Sequence, residues 1–496
     1  MDMSPIRKLA GQTVVYGFSS IFGRFLNYLL VPLYTYSFPA QAYGIVSEFY
    51  AYAGFLAVLL GFGLETAYFR FRNLDGVADD EAYAAAMSLL LPGNLLFLSL
   101  VVGYQDEIAS ILRYPLHPEY GVWFAMILSI DGLCSLPFAR LRAEERALRF
   151  AGVKLSEILI TIGLNLLLIL GPPLMEARWP GLMPRAFKPG IESIFLANLI
   201  GSASKLILLA PEFLRMGKLS GLRLTRPMLA YGLPMVIIGF AGMINEMLDR
   251  AVLKYLLPWD LDTNLRQLGI YGACYKLSIL MTLFVQAFRY AGEPFFFSYA
   301  KRQDAKQTYA LVMRYFVISC SGIYLIVVLF LDKFQYFIGA EYREGLAVVP
   351  VLLMANLFLG IYVNLSIWYK LTDRTGLGAL VSIFGAVLTL VLNFSWVPHY
   401  GYMGSAWATL ACYVFMVLIS GLLGWRYYPI PYPVFRLTAY LLLILALSLA
   451  QGRLSEAAGL SPDLSAVLLL TFFLLPVLFL EVRPLLRRVD PRRIGP

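Results

Sequence analysis

The chain has 496 residues, of which 59% are hydrophobic and 14% charged; soluble domains average about 45–50% apolar and about 25% charged. That balance excludes a soluble enzyme, a disordered regulator and a fibrous protein, and leaves a membrane protein with many spans. Forty Lys/Arg against 31 Asp/Glu give a net charge of +9. The excess reads as the mark of cytoplasmic loops, where positive charge is retained, and no nucleic-acid partner is expected.

In chain order, apolar segments of the roughly 20 residues that a crossing helix needs lie at 11–36, 43–69, 83–104, 120–139, 151–170, 191–211, 228–254, 269–297, 308–331, 345–369, 376–397, 403–424, 434–451 and 464–481. They predict an all-α polytopic membrane protein with 14 transmembrane helices. With the N-terminus inside, 25 basic residues fall in cytoplasmic segments. Nine lie on the opposite side, among them Arg113, Lys254 and Lys333. Such an asymmetry fits an even number of spans with both termini cytoplasmic. The basic start lacks an apolar core with a cleavage site, so no removable signal is expected. The tail from Arg483 to Arg493 reads as an anchor to anionic lipid.

An internal repeat organises the spans. Gly44, Ile45 and Tyr50 return as Gly269, Ile270 and Tyr275. Arg142, Glu145, Arg146 and Asn165 return, in the same order and at the same spacing, as Lys370, Asp373, Arg374 and Asn393. The repeat predicts two six-helix lobes of the same orientation, 1–226 (spans one to six) and 227–430 (spans seven to twelve). Residues 431–496 add two further spans and the tail. Parallel repeats of this kind typify transporters that rock one half against the other.

Charged groups inside the hydrocarbon cost at least ~2.5–3.5 kcal/mol each, so they face a cavity or a partner. Arg24 and Asn27 share a face of the first span, beside Tyr28. Glu48 and Glu65 lie on the second. The seventh carries Asn245, Glu246, Asp249 and Arg250, paired at i,i+4. Lys276, Gln286, Arg289 and Glu293 draw one stripe on the eighth, where Glu293 is placed to neutralise Arg289. Spans one, two, seven and eight are equivalent in the two lobes, which favours a shared polar cavity. Glu246–Arg250 reads equally as a locking ion pair or as transport machinery. Lys205 and Arg314 are expected to snorkel to the cytoplasmic side. Glu157, Thr161 and Asn165 form a face for interhelical hydrogen bonds, and Asp131 has no partner that spacing names. Tyr28, Tyr275 and Tyr290 lie beside the polar stripe, where they are candidates to line a cavity for sugars. Cys134, Cys274, Cys320 and Cys412 lack metal-ligand spacing and read as packing residues. His117 and His399 fall in non-cytoplasmic loops. No phosphate loop, metal constellation or nucleophile motif occurs, so no cofactor, metal or catalytic residue is expected.

The opening LAGQTVVYGFSSIFGRFLNYLLVPLYTYSF, then AYGIVSEFYAYAGFLAVLLGFGLETAYFRF, PFARLRAEERALRF, GMINEMLDR, GIYGACYKLSILMTLFVQAFRYAGEPFFFSYAK and GIYVNLSIWYKLTDRTGLGA resemble one family. It is the polysaccharide-transporter branch (Wzx-type oligosaccharide or O-antigen flippases) of the multidrug/oligosaccharidyl-lipid/polysaccharide exporter superfamily. The likeness covers roughly residues 8 to 430. It implies a two-lobed flippase, not an enzyme, that moves polyprenyl-pyrophosphate-linked sugar repeat units to the periplasmic leaflet of a bacterial inner membrane. In a sister branch a first-helix arginine contributes to a cationic cavity, and Arg24 occupies the comparable place.

The expected substrate site is therefore Arg24, Asn27, Arg250, Lys276 and Arg289. Glu48, Glu65, Glu246, Asp249 and Glu293 are expected to balance those charges or to couple transport to ions. Expected partners are the lipid-linked oligosaccharide and membrane lipids, with H+ or Na+ as candidate coupling ions and a polysaccharide polymerase as a candidate companion. The alternatives are a drug/cation antiporter of the same superfamily, which would want a carboxylate-dominated cavity, and a membrane glycan polymerase or glycosyltransferase, which would want a larger outer loop.

Overall fold

A computed structural model describes residues 21–178, 189–214, 222–300 and 302–482. Among them the chain is helical, with no strand. The principal helices are α1 (Leu30–Ser37), α2 (Ala40–Gly61), α3 (Leu64–Phe71), α4 (Asp79–Gly103), α5 (Pro118–Ala143), α6 (Ala147–Arg178), α7 (Glu192–Leu208) and α8 (Leu222–Leu256). There follow α9 (Leu261–Leu277), α10 (Ile279–Tyr299), α11 (Ala305–Leu329), α12 (Val348–Leu365), α13 (Thr375–Tyr427), α14 (Val434–Ala458) and α15 (Pro462–Val477).

Ten helices among the described residues are long and apolar enough to cross a membrane, and the α9–α10 pair, broken at Ser278, makes eleven. The expected 14 spans divide the chain more finely. The two segments at 376–397 and 403–424 are the two helices of α13, which break at Gly401, whose φ of 60° and ψ of −147° only glycine adopts readily. The expected span at 191–211 contains the shorter α7. The first span is described only from residue 21, and the basic tail lies outside the described residues.

Helix ends follow local chemistry. Asp79, Asp80 and Glu81 fill the first turn of α4, where the helix dipole favours negative charge. Ser461 caps α15 by accepting from the Leu464 amide at 3.3 Å. α14 stops at Gly459, which lies in the left-handed region.

The internal repeat returns as geometry. After α5, Glu145 takes φ 58°, its amide donates to the Arg142 carbonyl, and the Arg146 amide donates to the Leu141 carbonyl at 2.8 Å. In the second copy of the repeat, Asp373 takes φ 54°, and the Arg374 amide donates to the Tyr369 carbonyl at 2.8 Å. Both sites are the same two-bond helix stop with a non-glycine residue at its left-handed position. Likewise, Asn165 Nδ2 donates to the Thr161 carbonyl and Asn393 Nδ2 to the Thr389 carbonyl, each at 2.8 Å.

The chain divides into two compact units, 1–272 with 382–402, and 273–381 with 403–496. In the first, Ala82, Ala85 and Ala86 of α4 form a small-residue face against Leu64, Ala67 and Tyr68 of α3, Leu136 and Ala139 of α5, and Met228 of α8. Small faces let helices approach closely where no hydrophobic drive separates protein from lipid. Gly44 and Gly269 carry this furthest. A β-carbon on Gly44 would collide with the Leu265 carbonyl, and one on Gly269 with the Ala40 carbonyl. In the second unit, Trp368 and Tyr369 pack with Cys412, Tyr413 and Met416, and Tyr309 with Phe296 and Ile367.

Candidate functional site

The charged groups inside the spans fall into four arrangements. The first is wholly enclosed. Lys254, near the end of α8, places Nζ 2.6 Å from Glu48 Oε1 on α2, and both side chains are 0% exposed. The hydroxyls of Tyr52 and Tyr114 donate to the two Glu48 oxygens, and Lys254 also donates to the Leu112 carbonyl at 2.7 Å. The ammonium lies 4.3 Å from the Tyr114 ring and 4.7 Å from the Tyr255 ring. Charge, hydrogen bonds and π faces together replace the water that both ions lose. Lys254 is thus a buried helical residue rather than the loop residue expected. It stands one turn beyond Arg250, so the polar row of the seventh span continues one turn further.

The second arrangement is that row. Asn245 donates to the Ser382 carbonyl at 3.0 Å and accepts from Thr389 Oγ1 at 3.1 Å, tying α8 to α13. Asp249 accepts from the Tyr271 hydroxyl at 2.6 Å, and Arg250 Nε lies 3.3 Å from Asp249 Oδ1. The expected Glu246–Arg250 ion pair does not form. Arg250 Nη2 donates to the backbone carbonyl of Glu246 at 2.6 Å, and the Glu246 carboxylate has no cation partner among the described residues.

The third arrangement joins α5, α6 and α7. Lys205 Nζ lies 2.6 Å from Asp131 Oδ1 and 2.7 Å from Glu157 Oε1. Lys205 is buried and does not snorkel, because two carboxylates hold it inside. Tyr34 of α1 donates to Asn165 Oδ1 at 2.9 Å, so the expected hydrogen-bonding face of α6 is engaged from two neighbours.

The fourth gathers the remaining cations and the carboxylates expected beside them. Arg24 and Asn27 are exposed, and among the described residues no carboxylate pairs with Arg24. In the second unit Arg289 and Tyr290 are also exposed, and no described carboxylate pairs with Arg289. Glu293, expected to neutralise Arg289, instead binds Lys370. Lys276 is half-buried and makes contacts of its own. Glu65 pairs with Arg142 at 2.6 Å at the start of α3, and Arg314 lies 3.2 Å from Glu481. Tyr28 is buried and Tyr275 half-buried. Among the described residues no group of His, Cys, Asp and Glu could hold a metal ion.

A family model described as polysaccharide biosynthesis protein matches residues 9–299, more than half of the chain. The chain belongs to the polysaccharide biosynthesis protein family. This family member is 22% identical to the probable low-salt glycan biosynthesis flippase Agl15 of Haloferax volcanii, over 410 residues that cover 81% of this chain and 80% of that protein. Its fold matches that of the lipid II flippase MurJ in an inward closed conformation with a TM-score of 0.66 at 15% identity, covering 95% of this chain and 99% of the other. An inward-facing multidrug resistance MATE family transporter of the MOP superfamily gives 0.62 at 13% identity, covering 86% and 95%. At these identities the solved structures speak to the fold alone. The family match and the shared fold agree with the exporter superfamily that the sequence resembles. The chain is a multi-pass membrane protein whose relatives are named as flippases and transporters.

Proposed function

We propose that the chain is a flippase that carries polyprenyl-pyrophosphate-linked oligosaccharide repeat units from the cytoplasmic to the periplasmic leaflet of a bacterial inner membrane. The products serve surface polysaccharide assembly, and transport runs by alternating access. A pyrophosphate-sugar head group cannot enter hydrocarbon alone, because its charges and hydroxyls would lose their water. A polar path must replace that water while the polyprenyl chain stays in lipid.

The observation that carries this reading is Arg24, an exposed guanidinium on the expected first span that no described carboxylate neutralises. A lone cation there is costly unless it meets water or an anion, and a guanidinium suits phosphate oxygens in bidentate geometry. Asn27, on the same helical face, adds an amide for sugar or phosphate oxygens. Arg289, with Lys276 on the same stripe, plays the corresponding part in the second unit. Arg250, drawn toward Asp249, is a positioning cation in this scheme. Glu48, Asp249 and Glu293 hold basic residues in place, and H+ or Na+ drives the cycle. Both termini are cytoplasmic in this reading, and a polysaccharide polymerase receives the translocated unit.

The test is complementation. In a strain that lacks its own repeat-unit flippase and supplies a compatible repeat unit, the wild-type chain restores surface glycan. Arg24→Ala, at matched membrane abundance, leaves it absent. Full restoration by Arg24→Ala would remove the arginine from the account.

A further inference from the structure

One group of cations within the second unit lies outside the scheme above. Arg374 directly precedes α13, and Arg426 lies in its last turn. Both guanidiniums reach one ring: Arg374 lies 4.1 Å from the centre of Tyr427, and Arg426 lies 5.8 Å from it. Lys306, at the start of α11, lies 4.6 Å from the neighbouring Tyr428 ring. Ring faces attract cations, yet the two like charges gathered at Tyr427 repel each other. Among the described residues no carboxylate pairs with Arg374, Arg426 or Lys306. Acids on neighbouring segments are engaged elsewhere: Asp304 lies 3.3 Å from Arg302, and Glu293 binds Lys370. Asp373, next to Arg374 in sequence, forms no described ion pair. The ring itself is held in place. Tyr427 stacks at 6.2 Å on the buried Trp368, whose indole N–H donates to the Ser420 carbonyl at 3.3 Å.

These cations border an apolar surface. Leu418, Leu422 and Trp425 follow one another a turn apart on one face of the helix, and they are 59%, 62% and 78% exposed. Leu422, Leu423, Trp425 and Arg426 line a groove of about 480 Å³, within the roughly 300–1,000 Å³ of ligand sites. α13 is long and apolar enough to cross a membrane, and Trp and Tyr gather where such a helix leaves the hydrocarbon. Leu418 and Leu422 therefore lie at the depth of acyl chains, and the guanidiniums at the level of headgroups.

We propose that this end of the second unit binds an anionic phospholipid, its phosphate between Arg374 and Arg426 and an acyl chain along Leu422 and Trp425. Guanidiniums match phosphate oxygens with paired, charge-assisted hydrogen bonds, and a phosphate relieves the repulsion of the two cations. The described lining of the groove holds no carboxylate, hydroxyl or side-chain amide. Nothing there recognises a sugar, which favours a membrane phospholipid over a glycan-bearing lipid. The site requires that the chain spans a membrane; neither transport nor its substrate enters the argument.

The experiment places the full chain in phosphatidylcholine vesicles with a trace of phosphatidylglycerol that carries a photoactivatable acyl chain. After irradiation, peptide mass mapping locates the attached lipid. Wild type is expected to be labelled within 418–427, and unlabelled phosphatidylglycerol competes where added phosphatidylcholine does not. Arg374→Gln combined with Arg426→Gln lowers that labelling about tenfold. Labelling at Phe472, exposed on α15, stays unchanged and shows that the variant is folded. If the double variant does not insert, Arg426→Gln alone gives the same reading with a smaller loss. Absent labelling of 418–427, equal competition by phosphatidylcholine, or full labelling of the arginine variants would overturn the proposal. Displacement by polyprenyl pyrophosphate at far lower concentration than by phosphatidylglycerol would also overturn it, and would make the groove a dock for the lipid-linked substrate. Each of those results would leave the flippase reading standing, whereas failed complementation by the wild-type chain would leave the phospholipid site standing.

Discussion

Lys254 and Glu48, far apart in sequence, meet at 2.6 Å with neither side chain exposed. The pair fastens α8 to α2 close to the backbone crossing of Gly44 against Leu265. Buried ion pairs add little net stability over an apolar pair, but removing one partner strands a charge. Glu48→Gln is therefore expected to cost about 3–5 kcal/mol, and the double change Glu48→Gln with Lys254→Met much less. A double-mutant cycle on thermal unfolding in detergent measures this. Equal, additive losses would show that the two ions do not depend on each other.

Glu212 makes a second buried pair, outside the spans. Its side chain is 2% exposed and takes Arg149 Nε at 2.6 Å and Nη2 at 3.0 Å. Burial pushes its carboxyl up, but the hydrogen bonds and charge of Arg149, helped by Arg146, outweigh that and hold it below its ordinary value. A lowered carboxyl contributes stability above its unfolded-state value and loses that contribution as pH falls through the folded one. Glu212→Gln is expected to lose about 1–3 kcal/mol at neutral pH, with the difference from wild type shrinking in acid. Unfolding temperatures measured across the acid range check the sign, and a difference that grows in acid would contradict it.

Close packing gives a third expectation. A methyl group on Gly269 has no room against the Ala40 carbonyl. Gly269→Ala must push α9 away from α2, at about 1–3 kcal/mol, and Gly269→Val more. Thermal stability in detergent should fall in that order. An unchanged Gly269→Ala would mean that the crossing is looser than described.

The repeat supplies a substitution in the stabilising direction. Asp373 holds φ 54° on an exposed turn, a conformation that costs most residues about 1–2 kcal/mol and glycine almost nothing. Asp373→Gly is expected to raise the unfolding temperature, with a gain of up to about 1 kcal/mol. A loss would show that the carboxylate makes a contact worth more than the strain.

Hydropathy made the helical architecture legible, because each span must satisfy its own backbone in lipid. The repeat was legible for a different reason. Arg142 with Arg146 and Lys370 with Arg374 bracket the same helix stop, so their spacing is fixed by backbone geometry. Partners across helices were not legible. Arg289–Glu293 looks like a pair within one helix, yet Glu293 turns to Lys370 of another. Sequence spacing tells which residues share a face but not which neighbour that face meets. Lys205 was misjudged for the same reason: its two carboxylates come from α5 and α6, at separations that no periodicity encodes. The Glu157, Thr161, Asn165 face was read correctly, since an apolar helix with one polar stripe has a single direction in which to bond.

The most direct measurement places a labelled polyprenyl-pyrophosphate oligosaccharide in one leaflet of liposomes holding the full-length protein. A membrane-impermeant glycosidase then reports its arrival in the other leaflet. The expected result is translocation that scales with protein and is lost in Arg24→Ala, while ethidium placed in the same vesicles does not move. Head groups that stay protected from the enzyme while ethidium crosses would contradict the account and make the protein an exporter of cations.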